Sequence, residues 1–351
     1  MPVSGQLTPD ELKAALEPWM ARRMPDATEV RITNVVIPQS SGFSNETFLV
    51  DAAWKDAGGD QQVALVLRSQ AQGHQVFPEP DPLRQQFETM RILGERTDVP
   101  VPRMRWAESD RSVIGRAFFV MDRLTGNVAG DAPPYTVEGY VIDMDPASRR
   151  EWHRNGIGAM ARVHAVDWRG VGLDYLDQQH HGALGPEQRR NYLDHYRTWA
   201  MKGKPHDVID RAWDWLAANW PDDGDHVELC WGDARPGNLM FQGTEVVGVF
   251  DWEMVALGNA ESDLGWWCFL QRFHTDGTGV ALPEGLLDRA EIVAEWERLR
   301  GRPATHVDFY EKLGGFQFSL VMVRLAESMG IPDMGWDNPV VTITGRLLDE
   351  G

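Results

Sequence analysis

The sequence predicts an α+β chain of two lobes, a small β-rich lobe followed by a larger helical one. Three observations predict it. Short apolar, β-branched and aromatic runs at residues 47–50, 63–67 and 117–121 read as strands. After Thr125-Gly126 the apolar residues recur at helical spacing instead. A linker near 122–127 separates the two regimes, so residues 1–124 are expected to form one lobe and 125–351 the other.

Thr8-Pro9-Asp10-Glu11 reads as a helix start, with Thr as the cap, Pro at the first position and Glu three residues after the cap. That helix should end near Arg23-Met24-Pro25. The strands at 47–50 and 63–67 are separated by Lys55-Asp56-Ala57-Gly58-Gly59-Asp60 and look like a hairpin. A helix is expected from about Pro82 to Leu93, because Leu83, Phe87 and Met90 repeat at i, i+4, i+7. In the second half, Met160, Val163 and Val166 are expected to share one helix. Ile209, Ala212, Trp213, Leu216 and Trp220 should share another, and Leu313, Phe316, Leu320 and Val323 a third. Two short strands, 226–230 and 245–250, interrupt the helices.

With 34 Lys+Arg against 53 Asp+Glu, the chain carries a net charge of −19. That argues against binding duplex nucleic acid, which needs a basic face, and against docking on an anionic membrane. No stretch is apolar enough for a transmembrane helix and the N-terminus does not read as a secretory signal, so a cytoplasmic protein is expected. The two cysteines, Cys230 and Cys268, cannot build a disulfide framework or a zinc knuckle. Gly156-Ile157-Gly158-Ala159-Met160-Ala161 has glycine spacing similar to a dinucleotide fingerprint. No strand precedes it, so close helix packing is the expected use. The adjacent His180 and His181 should diverge and are read as a loop pair.

The segment richest in chemistry runs from Leu229 to Phe241 and contains Gly232-Asp233-Ala234-Arg235-Pro236-Gly237-Asn238. Asp233 follows an apolar strand on a loop that can hold its carboxylate rigidly. Asn238 opens a short strand, Gln242-Gly243-Thr244 turns the chain, and the return strand ends at Phe250-Asp251-Trp252-Glu253. Such a hairpin carries Asn238 and Asp251 to one end. Two oxygen ligands of that kind suit Mg²⁺, which takes few protein oxygens beside phosphate and water. Asp233 is then free to orient or deprotonate a hydroxyl nucleophile.

The order D-x-x-x-x-N followed by a strand-borne Asp is that of kinase catalytic loops. With Asp263-Leu264-Gly265-Trp266 downstream, the sequence resembles the aminoglycoside phosphotransferase-like family, nearest to phosphotransferases related to the kinase-like domains fused to acyl-CoA dehydrogenases. The resemblance covers roughly residues 25–345 and is most specific over 226–266. It implies a protein-kinase-like two-lobed fold and ATP- and Mg²⁺-dependent transfer of a phosphoryl group to a hydroxyl of a small molecule, with an aminoglycoside-like or hydroxyacyl-type acceptor. It implies that Asp233 is the catalytic aspartate that accepts or orients the substrate hydroxyl, that Asn238 and Asp251 hold Mg²⁺, and that Asp263 braces the catalytic loop. For the nucleotide it implies Ser41, Gly42, Phe43, Ser44 and Asn45 as a phosphate-covering loop and Arg68 as the phosphate cation. Met121, Asp122 and Leu124 would be the stretch that meets the adenine edge.

Two residues depart from the family pattern. Gln86 stands where a Glu would pair with Arg68, and Trp231 stands where many relatives have His before Gly-Asp. Both would fit an alternative of another class, a pseudokinase-like interaction module that binds nucleotide without turnover. The complete set of Asp233, Asn238 and Asp251 argues against it. The aromatic residues 175, 192, 196, 199, 213 and 215 are expected on the acceptor side, with most of them in the core.

Overall fold

The computed structural model describes residues 7–38, 45–70, 75–78, 82–222 and 226–350. The chain divides into two units. The first takes residues 1–75, 80–91 and 102–124; the second takes 76–79, 92–101 and 125–351.

In the first unit a helix, α1 (Pro9–Arg23), begins at the expected capping box, with Thr8 Oγ1 accepting from Glu11 N–H at 3.3 Å. A five-stranded antiparallel sheet follows, in the order β1-β2-β3-β5-β4. Its strands are β1 (Thr28–Val36), β2 (Asn45–Asp56), β3 (Gly59–Gln70), β4 (Met104–Glu108) and β5 (Phe118–Asp122). The predicted hairpin is β2–β3, in register Val50 against Leu65, and it turns at Asp56–Gly59. Asp56 Oδ1 accepts from Gly58 N–H at 2.8 Å to close that turn. Leu12, Leu16, Trp19 and Met20 of α1 bury against Ile32, Phe48, Val50, Leu65, Leu67, Phe118 and Val120, so one sheet face is a packed apolar layer. A second helix, α2 (Pro82–Arg96), runs one turn beyond its expected end.

Strands β1 and β4 were not expected from the sequence. They are the two edges of the sheet. β1 buries Ile32 alone and β4 buries none of its residues, so neither carries the apolar run that betrays a central strand.

The second unit is built on helices α3 (Pro146–His164), α4 (Pro186–Met201), α5 (Asp207–Ala218), α6 (Glu261–Thr275), α7 (Arg289–Arg300), α8 (Val307–Ser328) and α9 (Pro339–Asp349), with several single helical turns. Helix α8 is the axis of its core. Leu313, Phe316, Leu320 and Val323 bury together with Ile209, Ala212, Trp213 and Leu216 of α5, and Trp213 stacks on Phe316 at 5.5 Å. Two helices stop earlier than expected. α3 ends at His164, leaving Val166 outside, because Asp167 caps the next short turn. α5 ends at Ala218 ahead of Pro221, and Trp220 reaches the core from the loop. Gly156 of α3 does serve close packing: a Cβ there would stand 3.0 Å from the Trp267 ring, whereas Gly158 faces nothing within 4 Å. His180 and His181 do not diverge. They sit in a 3₁₀ turn with rings 4.1 Å apart, gathered by His195 and Tyr192 of α4.

Candidate active site

The strand β6 (Glu228–Cys230) delivers the chain to the loop that carries Asp233, and pairs antiparallel with β9 (Ala256–Gly258). Between them lie β7 (Leu239–Gln242) and β8 (Glu245–Val249), which form the expected hairpin. The turn into the loop is made at Gly232. Its φ of +92° and the 2.2 Å between a hypothetical Cβ and Met254 O exclude any side chain.

Asp263, at the first turn of α6 and 1% exposed, grips this loop by its backbone. Its Oδ2 accepts from Trp231 N–H at 2.6 Å and its Oδ1 from Gly232 N–H at 2.8 Å. The same Oδ2 lies 2.9 Å from His164 Nε2, and His164 Nδ1 accepts from Trp296 Nε1–H at 3.0 Å. That second bond fixes the tautomer: the imidazole proton is on Nε2, where it is donated to Asp263. Trp231 is fully buried, and its Nε1–H is donated to Phe250 O at 2.8 Å, so it fills space and ties the loop to the hairpin end.

Asp233 is the next residue. Its Oδ1 accepts from Trp266 Nε1–H at 2.9 Å and its Oδ2 from Asn238 Nδ2–H at 2.7 Å, while Arg235 Nε–H lies 3.1 Å from both oxygens. Burial pushes the Asp233 pKa above the ordinary carboxylate value. The neighbouring charge of Asp251 pushes the same way, against the opposing pull of Arg235 and Asn238. Arg235 is held on its other side by Asp131. Burial works against the Arg235 charge, but Asp233 and Asp131 outweigh it and keep the guanidinium firmly protonated.

The hairpin brings Asn238 and Asp251 to one end, through Phe250 N–H donated to Asn238 O at 2.9 Å. Asp251 has φ +58°, a left-handed backbone that few non-glycine residues adopt. Among the described residues no group of three or more His, Cys, Asp or Glu is arranged to hold a metal ion. The oxygens of Asn238 and Asp251 are the hard donors that Mg²⁺ prefers, and a Mg²⁺ site completed by phosphate needs no third side chain. The Asn238 amide nitrogen is committed to Asp233 O and Oδ2, which leaves its oxygen as the atom able to meet a cation.

A small cavity of about 30 Å³ opens beside this loop, in the second unit. Its walls include Trp220, Met254, Trp266 and Tyr310, with Arg189 donating to Gln317 Oε1 at 3.1 Å. The aromatic residues expected on the acceptor side do not line it: Tyr196 and Trp213 are core and Tyr175 is exposed.

Within the first unit, Arg68 lies in β3 opposite Phe119 and is 9% exposed. Gln86 is fully buried and its amide makes no hydrogen bond, so no Arg68–Gln86 hydrogen bond exists. Glu88 is taken by Arg91 at 2.9 Å. Asn45 is buried at the start of β2, and Met121 and Asp122 close β5. Asp122 gives its N–H to Arg103 O at 2.9 Å and its carboxylate to Arg105, so only its carbonyl is eligible for an adenine contact. Leu124 is the last residue of the unit's final segment. Ser41, Gly42, Phe43 and Ser44 lie outside the described residues.

Sequence reasoning gave no role to Arg235, Asp131 or Trp266. For Trp266 a signal existed: it is three residues after Asp263 in a helix, hence on the same face, so both reach the same loop.

Comparison with known proteins agrees with this architecture. Several relatives are acyl-CoA dehydrogenases. The Arabidopsis thaliana protein named "Probable acyl-CoA dehydrogenase IBR3" is 29% identical over 77% of this chain and 33% of its own length. "Acyl-CoA dehydrogenase family member 11" of Gallus gallus is 29% identical over 72% of the chain and 30% of its own length. The chain thus spans about a third of the curated relatives it matches. Among solved structures, a candidate aminoglycoside phosphotransferase of Ralstonia eutropha superposes with a TM-score of 0.68 at 24% identity, covering 96% of this chain and 98% of that one. The macrolide 2′-phosphotransferase of Brachybacterium faecium gives 0.56 at 17% identity, covering 96% and 98%. These likenesses show the fold, an α+β architecture shared with kinase-like phosphotransferases. Residues 35–302 match the family described as "Phosphotransferase enzyme family", and by that match the chain belongs to it.

Proposed function

We propose that this enzyme transfers the γ-phosphate of ATP, in the presence of Mg²⁺, to a hydroxyl group of a small molecule. The observation that carries the reading is the placement of Asp233. Its carboxylate is fixed on a braced loop, beside the oxygen donors Asn238 and Asp251 and next to a small cavity walled by Trp266. Asn238 and Asp251 would hold Mg²⁺, and the bound ion supplies charge neutralisation to the transferring phosphates. Asp233 would accept a hydrogen bond from the attacking hydroxyl, aim its oxygen and take up its proton as the new bond forms. Its raised pKa makes it a better proton acceptor than an ordinary carboxylate. Asp263 would keep the loop in place. Arg68 and Asn45 would meet nucleotide phosphates, together with the stretch 41–44, and Met121, the Asp122 carbonyl and Leu124 would meet the adenine edge.

One solved neighbour is an aminoglycoside phosphotransferase in complex with AMP-PNP and hygromycin B. The pocket composition here favours another acceptor. Asp263 is the one carboxylate in its described lining, and that carboxylate is spent on Trp231, Gly232 and His164. A polycation would find no counter-charge there, whereas Trp220, Met254, Trp266 and Tyr310 suit an apolar chain and Arg189 suits an acyl or carboxylate end. A hydroxyacyl-type acceptor is therefore the reading this lining supports. The test is ADP release from Mg²⁺–ATP across a panel of hydroxylated acyl compounds and aminoglycosides. Stimulation by the acyl compounds is expected. Nucleotide binding without stimulation by any acceptor would favour the pseudokinase alternative, and stimulation by aminoglycosides alone would overturn the acceptor assignment.

A further inference from the structure

Trp266 is 4% exposed and belongs at once to two surroundings. Its Nε1–H is donated to Asp233 Oδ1 at 2.9 Å, and its ring is part of the wall of the adjacent pocket. The ring cannot drift, because Phe318 of α8 packs edge-tilted against it at 5.7 Å and α6 is anchored to the loop by Asp263. The two contacts to the loop come from one helix face, Asp263 holding the backbone and Trp266 the side chain. Of the three donors that the described residues give the Asp233 carboxylate, Asn238 is a proposed metal ligand and Arg235 is shared with Asp131. Trp266 is the donor that touches the pocket as well as the carboxylate.

We infer that Trp266 is a positioning residue for phosphoryl transfer: its indole N–H sets the direction of the Asp233 carboxylate, and the same ring seats the acceptor, so that one side chain aligns hydroxyl and base. The inference rests on the reading of Asp233 as the group that receives the hydroxyl. Its energetic basis is that a charge-assisted hydrogen bond holds an oxygen at fixed distance and angle, and that a misaimed base loses rate without loss of nucleotide binding. In Trp266→Phe the ring wall is largely kept and the N–H is gone.

The experiment measures ADP release from Mg²⁺–ATP with water as the acceptor, in the full chain, for Trp266→Phe, Asp233→Asn and the double variant. Trp266→Phe is expected to lower kcat about ten-fold with KM for ATP unchanged, as for loss of one hydrogen bond to a charged group. The double variant should be no slower than Asp233→Asn. An unchanged kcat in Trp266→Phe, when Asp233→Asn is inactive, overturns the inference and spares the reading of Asp233. Near-native release in Asp233→Asn overturns both. An equal Trp266→Phe loss in the Asp233→Asn background overturns the inference, because the ring would then act by another route. A binding-state readout runs in parallel. The indole N–H resonance of Trp266, assigned by its disappearance in Trp266→Phe or Trp266→His, should move upfield in Asp233→Ala, and no movement would overturn the inference without reference to rate.

Discussion

The main-chain N–H of Trp231 is donated to Asp263 Oδ2 at 2.6 Å, and that same oxygen receives His164 Nε2–H at 2.9 Å. A single buried carboxylate oxygen thus joins the Asp233-bearing loop to α3, and the partner oxygen takes the next loop amide, Gly232 N–H. Asp263→Asn would turn one acceptor into a donor facing another donor. We expect a loss of about 2–3 kcal/mol in stability, read as a lower urea midpoint at unchanged m-value, since an unsatisfied buried group costs roughly that much. An unchanged midpoint would mean that the loop holds its shape without the brace.

Asp233→Ala removes the proposed acceptor of the hydroxyl proton. Turnover with a stimulating acceptor should fall by about 10²–10⁴-fold, the usual worth of a positioned general base, with ATP affinity within about two-fold. The pair of values, kcat from ADP release and Kd from calorimetry, separates this role from a structural one.

At the proposed Mg²⁺ site, Asp251→Ala should weaken Mg²⁺–ATP binding far more than metal-free ATP binding, because the ion would bridge protein and phosphates. Asn238→Ala should do the same to a smaller degree, since a neutral ligand is lost. Equal weakening with and without Mg²⁺ would assign both residues to folding.

Two buried imidazoles make stability depend on pH. Burial lowers the pKa of His153 to about 3 and of His274 to about 4. Both are neutral in the fold and protonate near 6.5 once the chain unfolds, so the unfolded state binds more protons below that value. Their contribution is intact above pH 7, falls as pH drops from about 6.5 and stops changing below the folded values. Between pH 7 and 5 each should cost about 2 kcal/mol. Replacing His153 by Gln should flatten the curve over this range, and a curve unchanged in slope would show that the ring does not stay neutral.

Gln86 offers the opposite test, of a polar group that has no counterpart. Its amide is fully buried and unbonded, so Gln86→Met should leave stability unchanged or raise it by about 1 kcal/mol in thermal or urea unfolding. A loss of more than about 1 kcal/mol would reveal a partner for the amide.

The readable and unreadable parts of this protein follow from distance along the chain. Asp233, Asn238 and Asp251 lie on one strand–loop–hairpin run, and the turn chemistry of Gly232, Gly237 and Gly243 is written beside them, so their convergence was visible in spacing alone. The Asp131–Arg235 contact joins residues 104 apart, and nothing local to either announces the other. The pocket wall is drawn from residues as far apart as Arg189 and Tyr310, which only the packed helices bring together. Among the secondary structure elements, central strands with continuous apolar runs were legible, while edge strand β1 was hidden because most of its residues face solvent and β4 because none of its residues is fully buried. Gln86 was correctly placed on α2, where a Glu would pair with Arg68, but its amide finds no partner there, since helix position fixes the side on which a residue lies and not the partner it finds.

The backbone at Asp251 carries a consequence for how this position tolerates change. At φ +58°, asparagine and glycine inherit the conformation at little cost, while alanine and, above all, valine or isoleucine pay for it in strain. A full substitution library at this site should therefore sort along two independent axes. Fold integrity would rank the variants by backbone tolerance, with glycine and asparagine near the top. Phosphoryl transfer would rank them by the presence of a carboxylate. Glycine at 251, well folded and inactive, would be the diagnostic case, because it separates the ligand from the bend that presents it.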